Sequence, residues 1–436
     1  MEFTLFHLTE ELPIFFRVDS LGLVFATLVA VVFLGVGIYS IDYFKEKDQK
    51  KRFYLWYVLA LLALIALSFA GNIITFYAFF ELLTLSTFPM VFIDRSKESI
   101  LAALKYLLYS LAGAYTALFG VFFMVKYCGD VRFTAGGVLN EGVIVSHPVI
   151  LQICALAMIV GFGVKAGLFP MHAWLPTAHP VAPSPASALL SGIIVKAGIL
   201  AEIRVVYQVF GVEYLRGTPV QTIVLILALI TIFLGSMVAL GEERLKKRLA
   251  YSTVSQLSYI ILGIMFLNEA GLYGAILQTI SHALCKTTLF LCAGNFLHEG
   301  IEYVGDLNGV GGKMKKTMCA FIFAALGLIG IPPTLGAYAK WNLGLSSLSS
   351  GILYLDYLGP VVLIISALLT AGYLLPIVTK AFFKEGETSV LCNNAKESSG
   401  KMTVTILALA ILSVIIGIIP TDVCGIIGRI ITEVLG

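Results

Sequence analysis

Apolar residues run along this chain in blocks of about 20, separated by short polar stretches. A helix of that length crosses a hydrocarbon layer of roughly 30 Å. The blocks are continuously apolar and do not alternate with period two, which argues against a transmembrane β-barrel. They fall at 20–43, 53–71, 73–93, 100–126, 150–170, 186–209, 219–240, 250–267, 272–297, 318–348, 357–383 and 402–433. The pattern predicts an all-α polytopic membrane protein with about twelve transmembrane helices. The last block contains Pro420, so its end is read as a separate interfacial turn.

Two blocks are interrupted. GFGVKAGLFPMHAWLPTAHPVAPSPASALLSGIIVKAG (161–198) carries Pro170 and Pro176, and GLIGIPPTLGAYAKW (327–341) carries Pro332 and Pro333. A break at mid-depth leaves backbone groups that only protein or water can satisfy, and such breaks commonly mark ion sites. The two lie five helices apart, which predicts two inverted five-helix repeats with a broken helix in each, at 53–210 and 219–384. An N-terminal helix and cytoplasmic loop (1–52) precede them, and a loop with a final helix (385–436) follows.

Composition supports this. The chain has 436 residues, 59% of them hydrophobic and only 13% charged, with a mean hydropathy of +0.95. A soluble domain of this size needs more charge to cover its surface. The acidic start, MEFTLFHLTEEL, lacks the basic region and small-residue cleavage site of a secretory signal. The seven cysteines are scattered without metal-ligand spacing. No phosphate loop, dinucleotide fingerprint, Ser-His-Asp pattern or basic–aromatic domain appears. The reading is therefore no catalytic residue, no metal, no cofactor on this chain and no nucleic-acid partner.

The net charge of +3 is less informative than its distribution. Eighteen of the 29 lysines and arginines fall in connections on one side: Lys45, Lys47, Lys50, Lys51, Arg52, Arg95, Lys97, Arg244, Lys246, Lys247, Arg248, Lys313, Lys315, Lys316, Lys380, Lys384, Lys396 and Lys401. Six fall on the other. The excess predicts that the first side is cytoplasmic and that both termini lie outside a cell membrane.

Five lysines remain, and all lie inside predicted spans: Lys105, Lys165, Lys196, Lys286 and Lys340. Facing lipid, they would together cost on the order of 15 kcal/mol. They must face acids, water, carbonyls or one another. Glu81, in the middle of the third span, is expected to protonate if it stands alone, and a nearby lysine would restore its charged form; Lys165 is the obvious partner. Lys196 follows the small residues of SALLSGIIVKAG, which let helices approach closely. His282 and Lys286 stand at i and i+4 on one helix face, and histidine can relay protons through either ring nitrogen. Lys340 follows the second break. Lys105, near the start of the fourth span, is an interfacial anchor or an auxiliary group, and His172 and His179 are further auxiliaries. Glu202 is expected to pair with Arg204 in a structural role.

These residues resemble a known family. The 161–198 stretch is similar to the signature of antiporter-like subunits shared by respiratory complex I, Mrp-type sodium/proton antiporters and energy-converting membrane hydrogenases. FYAFFELLTLSTFPM resembles that family's glutamate helix and KKRLAYSTVSQLSYIILG the opening of its second half. SHALCKTTLFLCAGNFLHEG resembles its histidine/lysine helix and GIPPTLGAYAKW its second broken helix. The likeness runs over nearly the whole chain, with the motifs in the family's order.

The resemblance implies a mid-membrane relay: Glu81 pairs with Lys165, Lys196 is the central stop, His282 and Lys286 bridge the halves, and Lys340 gates the exit. It implies H⁺ or Na⁺ as the ion, and other antiporter-like and small membrane subunits as partners. It also implies a drive from a peripheral cytoplasmic redox module with Fe–S clusters, or from an opposing ion gradient. The family usually has fourteen helices, and FFRVDSLGLVF resembles the start of its third, so its first two have no counterpart here. The long C-terminal lateral helix of one subunit type is also without counterpart. Lys340, where some complex I members have glutamate, and the HAxxKxxLF pattern lean towards the Mrp and hydrogenase branches. Two other readings are a stand-alone secondary transporter of a small solute and a non-conducting scaffold subunit. The short middle loop and the intact ionisable series weigh against these in turn.

Overall fold

The computed structural model describes residues 1–9, 12–45, 49–352, 354–383 and 390–436. Lys47 and Lys384 lie outside the described residues, as does the boundary drawn at 384/385.

The chain opens with something the hydropathy pattern does not predict, an antiparallel hairpin of β1 (Glu2–Thr9) and β2 (Leu12–Arg17), with Phe3 opposite Phe16 and His7 opposite Pro13. Its runs are too short for periodicity to reveal. Ile14, Phe15 and Phe16 are buried, and the Phe15 N–H donates to Thr75 Oγ1 at 2.8 Å, so the hairpin covers a helix end.

The helices follow in order: α1 Ser20–Tyr43, α2 Lys50–Ser68, α3 Ile73–Val91, α4 Lys97–Cys128, α5 Glu141–Ser146, α6 Pro148–Gly163, α7 Leu175–Val181, α8 Ser184–Leu189, α9 Lys196–Ile203, α10 Val212–Leu215, α11 Pro219–Gly241, α12 Leu245–Met265, α13 Glu269–His298, α14 Lys315–Ile329, α15 Leu335–Leu348, α16 Leu355–Phe382, α17 Val390–Asn394, α18 Gly400–Ile418 and α19 Pro420–Leu435. Asp19, Asn72, Ser96 and Asn268 cap α1, α3, α4 and α13, each side chain accepting an N–H three residues on. Those are the residue types whose short oxygens satisfy the orphan donors of a first turn.

Among the described residues, eight helices are long and apolar enough to cross a membrane: α1, α2, α3, α4, α11, α13, α16 and α18. The chain is a multi-pass membrane protein. The other four expected spans coincide with elements that are shorter, interrupted or more polar. α6 ends at Gly163, and residues 164–174 leave the helix before α7. The span expected at 186–209 is wound as α8, a π-helical turn (Leu190–Ile194), α9 and a second π segment (Arg204–Phe210). α14 stops at Gly330 and α15 resumes at Leu335. α12 is almost wholly buried despite its Ser, Thr, Gln and Lys residues. A buried helix needs no apolar face towards lipid.

α13 is the hub, buried along most of its length and packed against α8, α12, α14, α15 and α18. α4 and α6 meet backbone to backbone at Gly113 and Gly161, where an added Cβ on either glycine would lie 2.6 Å from the other's carbonyl oxygen. Small residues there allow the approach.

The expected Glu202–Arg204 pair does not form. Residues two apart on a helix face different ways, and Arg204 turns instead to Asp19, with nitrogen–oxygen distances of 2.5 and 2.9 Å. It also donates to Gln208 at 2.7 Å. Glu202 is fully buried and, among the described residues, has no hydrogen-bond partner on either oxygen.

Candidate functional site

Each mid-span lysine is held by oxygens or a ring nitrogen, as a cation in an apolar interior must be. Lys165 lies in the non-helical stretch after α6 and is buried. Its ammonium donates to Thr84 Oγ1 at 2.5 Å and stands 4.7 Å from the centre of the Phe80 ring and 5.9 Å from that of Tyr106. The expected direct pairing with Glu81 is not formed: no ion pair joins the two among the described residues, and Thr84, one turn further along α3, takes the ammonium. Glu81 keeps one buried carboxylate oxygen without a hydrogen-bond partner among the described residues. It lies within one turn of both Phe80 and Thr84.

Lys196 opens α9 just after the first π turn. The wider turn leaves the Ser191 carbonyl within reach, and the Lys196 ammonium donates to it at 2.5 Å. The same ammonium lies 2.6 Å from Nδ1 of His282 on α13. Both residues are fully buried. This contact joins the first predicted half of the chain to the second. His282 Nε2 has no hydrogen-bond partner among the described residues. Lys286, one turn along, faces elsewhere and donates to the Leu249 carbonyl on α12 at 2.9 Å.

Lys340, on α15, reaches back across the second break. Its ammonium donates to the carbonyls of Leu328 and Ile329 at 2.7 and 2.9 Å, and so caps the C-terminus of α14, where cations are favoured. It stands 5.0 Å from the centre of the Tyr259 ring. Pro332 and Pro333 lie in the non-helical link between the two half-helices. Pro170 lies in the earlier link, and Pro176 starts α7, where a missing N–H costs nothing.

The auxiliaries divide. Lys105 donates to Thr177 Oγ1 on α7 at 3.0 Å. It is tied to the first break and does not act only as an interfacial anchor. His179 is fully buried against the Phe290 ring, with centroids 4.6 Å apart and, among the described residues, no hydrogen-bond partner on either ring nitrogen. His172 is half-buried beside Phe169.

A cavity of about 450 Å³ opens at the surface above this break, lined in part by Glu98, Thr177, Pro180, Glu242, Glu243 and Lys247. Burial pushes the Glu242 carboxyl up, but its hydrogen bond with Lys247 at 2.7 Å and the Arg244 N–H hold it below the usual value. Behind the cavity, Lys246 is buried and donates to the carbonyls of Pro180 and Ala182.

Sequence reasoning missed the polar groups between these lysines. Ser191 Oγ lies 2.7 Å from Thr253 Oγ1. Gln278 donates to Gln256 at 2.7 Å, and Tyr373 donates to Ser252 at 2.7 Å. Ser236 lies 2.8 Å from Ser255 and 2.5 Å from Ser366. The available signal was YSTVSQLSY (251–259), a hydroxyl- and amide-rich run inside a predicted span.

Fold and site together define a polytopic helical membrane protein with a buried series of lysines strung between two broken helices. The chain belongs to the family described as NADH:quinone oxidoreductase/Mrp antiporter, transmembrane, whose profile matches residues 70–370. A second profile, for the N-terminus of chain 5 of NADH-ubiquinone oxidoreductase (complex I), matches residues 9–54. Subunit N of the NADH-quinone oxidoreductase of Desulforudis audaxviator is 34% identical over 365 residues, covering 82% of this chain and 71% of that protein. Two solved structures share the fold. One is a chain of an archaeal membrane-bound sulfane sulfur reductase, with a TM-score of 0.86 at 20% identity over 99% of this chain and 86% of the other. The other is a chain of the Mrp complex of Dietzia sp., with a TM-score of 0.84 at 21% identity over 100% and 89%.

Proposed function

We propose that this chain is a proton- or sodium-translocating, antiporter-like subunit of a multisubunit membrane complex. The observation that carries the reading is the buried contact between Lys196 and His282, which links the two broken-helix regions through a pair of proton-exchanging groups. Glu81 and Lys165 form the first station, with Thr84 accepting from the Lys165 ammonium, and Lys340 at the second break forms the last. A proton given by the Lys196 ammonium to His282 Nδ1 lets the ring release one from Nε2, so the imidazole ends neutral in its other tautomer. Lys286 takes that proton onward only in its neutral amine form, after giving up its own. The hydroxyls and amides of α12 and its neighbours extend the polar line between stations.

The drive comes from outside this chain. Its relatives belong to redox and antiporter assemblies, which favours other antiporter-like and small membrane subunits as partners. The force is supplied by a cytoplasmic redox module with Fe–S clusters, or by an opposing ion gradient. In this reading twelve crossings form two inverted five-helix halves in a cell membrane, with both termini outside and the cavity at Glu242 on the cytoplasmic side.

The test is to purify the native assembly, identify its co-purifying subunits and reconstitute it in vesicles. Substrate- or gradient-driven acidification or sodium uptake is expected. An isolated chain that moves a small organic solute instead would overturn the assignment.

A further inference from the structure

The relay above uses one carboxyl, Glu81. A second lies deeper and has no role in it. Glu202 is fully buried, and among the described residues neither of its oxygens has a hydrogen-bond partner. The charged groups nearest it along the chain, and the buried cations of α12, are committed elsewhere. Arg204 is bound to Asp19 and Gln208, Lys196 to Ser191 and His282, and Lys165 to Thr84. On α12, Lys246 is bound to the carbonyls of Pro180 and Ala182, and Arg248 to those of Glu242 and Tyr373.

Position gives this orphan acid a meaning. Gly198 and Glu202 stand at i and i+4 on one face of α9. That face lies along residues 162–166: a Cβ on Gly198 would come within 2.9 Å of the Phe162 carbonyl oxygen and 3.0 Å of the Ala166 nitrogen. Glu202 Oε1 lies over Gly163, 3.2 Å from where a Cβ would stand. Gly163 ends α6, two residues before Lys165. Lys196, two residues before Gly198, projects from the opposite side of α9 towards α13. The helix therefore presents an acid to the stretch that carries Lys165 and a lysine to the helix that carries His282.

We propose that Glu202 is a proton-holding carboxyl of the relay, placed between Lys165 and Lys196 and carrying its proton at rest. A bare carboxylate there would be a buried charge with neither cation nor donor, which protein interiors do not tolerate. Bound as O–H, the proton neutralises it. In turnover the carboxyl gives that proton towards Lys196 and regains one from the side of Lys165, so no charge stays on it. This rests on the relay reading, and its test separates the two.

Infrared difference spectra of the native complex, wild type minus Glu202→Gln in a Glu81→Gln background, should show the carbonyl stretch of a protonated carboxylic acid at neutral pH. The band should shift in D₂O, and Glu202→Gln should slow ion translocation fivefold or more with assembly unchanged. Glu202→Asp, which keeps the acid, should restore part of the rate. Carboxylate bands in place of the acid band would overturn the proposal, as would an acid band with wild-type translocation in Glu202→Gln. Loss of the band on adding sodium ions, with potassium as control, would also overturn it in favour of a cation site. If wild-type complex moves no ions, the relay reading fails, while the band still reports the state of Glu202.

Discussion

The Arg204 guanidinium reaches across 185 positions of sequence to grip the Asp19 carboxylate, so the end of the interrupted sixth span is fastened to the N-cap of α1. Arg204 is buried and Asp19 nearly so. Removing one partner of such a pair costs about 3 kcal/mol, because the other is left as an uncompensated charge. Asp19→Asn is therefore expected to lower the unfolding midpoint of the detergent-solubilised protein by several degrees. Burial pushes the Asp19 carboxyl up, but the charge and hydrogen bonds of Arg204, with the Gly22 N–H, outweigh it and hold the group below its ordinary 3.8. A carboxyl lowered in the folded state contributes stability that is complete above 3.8 and is lost as pH falls through its folded value. Thermal scans of wild type should thus lose stability below about pH 4. The variant should show less of that loss, and equal loss in both would remove the pair from the account.

Gly330 ends α14 with φ of +87°, and a Cβ there would stand 3.0 Å from Lys340 Cδ. Gly330→Ala meets both a left-handed backbone, costing about 1–2 kcal/mol, and the side chain that caps the half-helix. Translocation is expected to fall while α14 and α15 still assemble. Normal turnover in this variant would mean that the position of Lys340 is not critical.

Lys165 takes Thr84 as its acceptor, with Glu81 one turn away on the same helix. Thr84→Val keeps the shape and deletes the hydroxyl, and Glu81→Gln keeps the shape and deletes the charge. Glu81→Gln is expected to slow ion transport about tenfold or more, equivalent to about 1.4 kcal/mol in the barrier. Thr84→Val should act in the same direction but less. Transport assays in vesicles decide this, and a Glu81→Gln rate equal to wild type would sink the first station.

Much of the architecture is written in hydropathy. The block at 402–433 ends as α18 at Ile418 and continues as the separate α19 from Pro420. The other apolar blocks that became long helices match them within a few residues, because a bilayer forces every span to satisfy its own backbone. The lysines stand out for the same reason: an ammonium in an apolar run has no cheap explanation. Their partners are not written that way. Ser191 becomes an acceptor only because a π turn precedes Lys196, and Thr84 only because α3 is rotated to face the first break. The Leu249, Leu328 and Ile329 carbonyls are backbone groups that no side-chain pattern marks. Nearness in sequence pairs Arg204 with Glu202, whereas helix geometry turns the two apart and leaves Glu202 without a hydrogen-bond partner among the described residues. The hairpin at 2–17 escaped because strands of six to eight residues carry too little periodicity to separate from a polar leader.

The central claim is that protons pass between the two halves through the 2.6 Å contact of Lys196 with His282. The direct measurement is driven ion translocation by the intact complex in sealed vesicles, comparing wild type with Lys196→Ala and with the charge-keeping Lys196→Arg. The account predicts that Lys196→Ala assembles with its partners and moves no ions, and that Lys196→Arg, whose guanidinium does not release its proton, is nearly as inactive. Wild-type translocation in Lys196→Ala would contradict it.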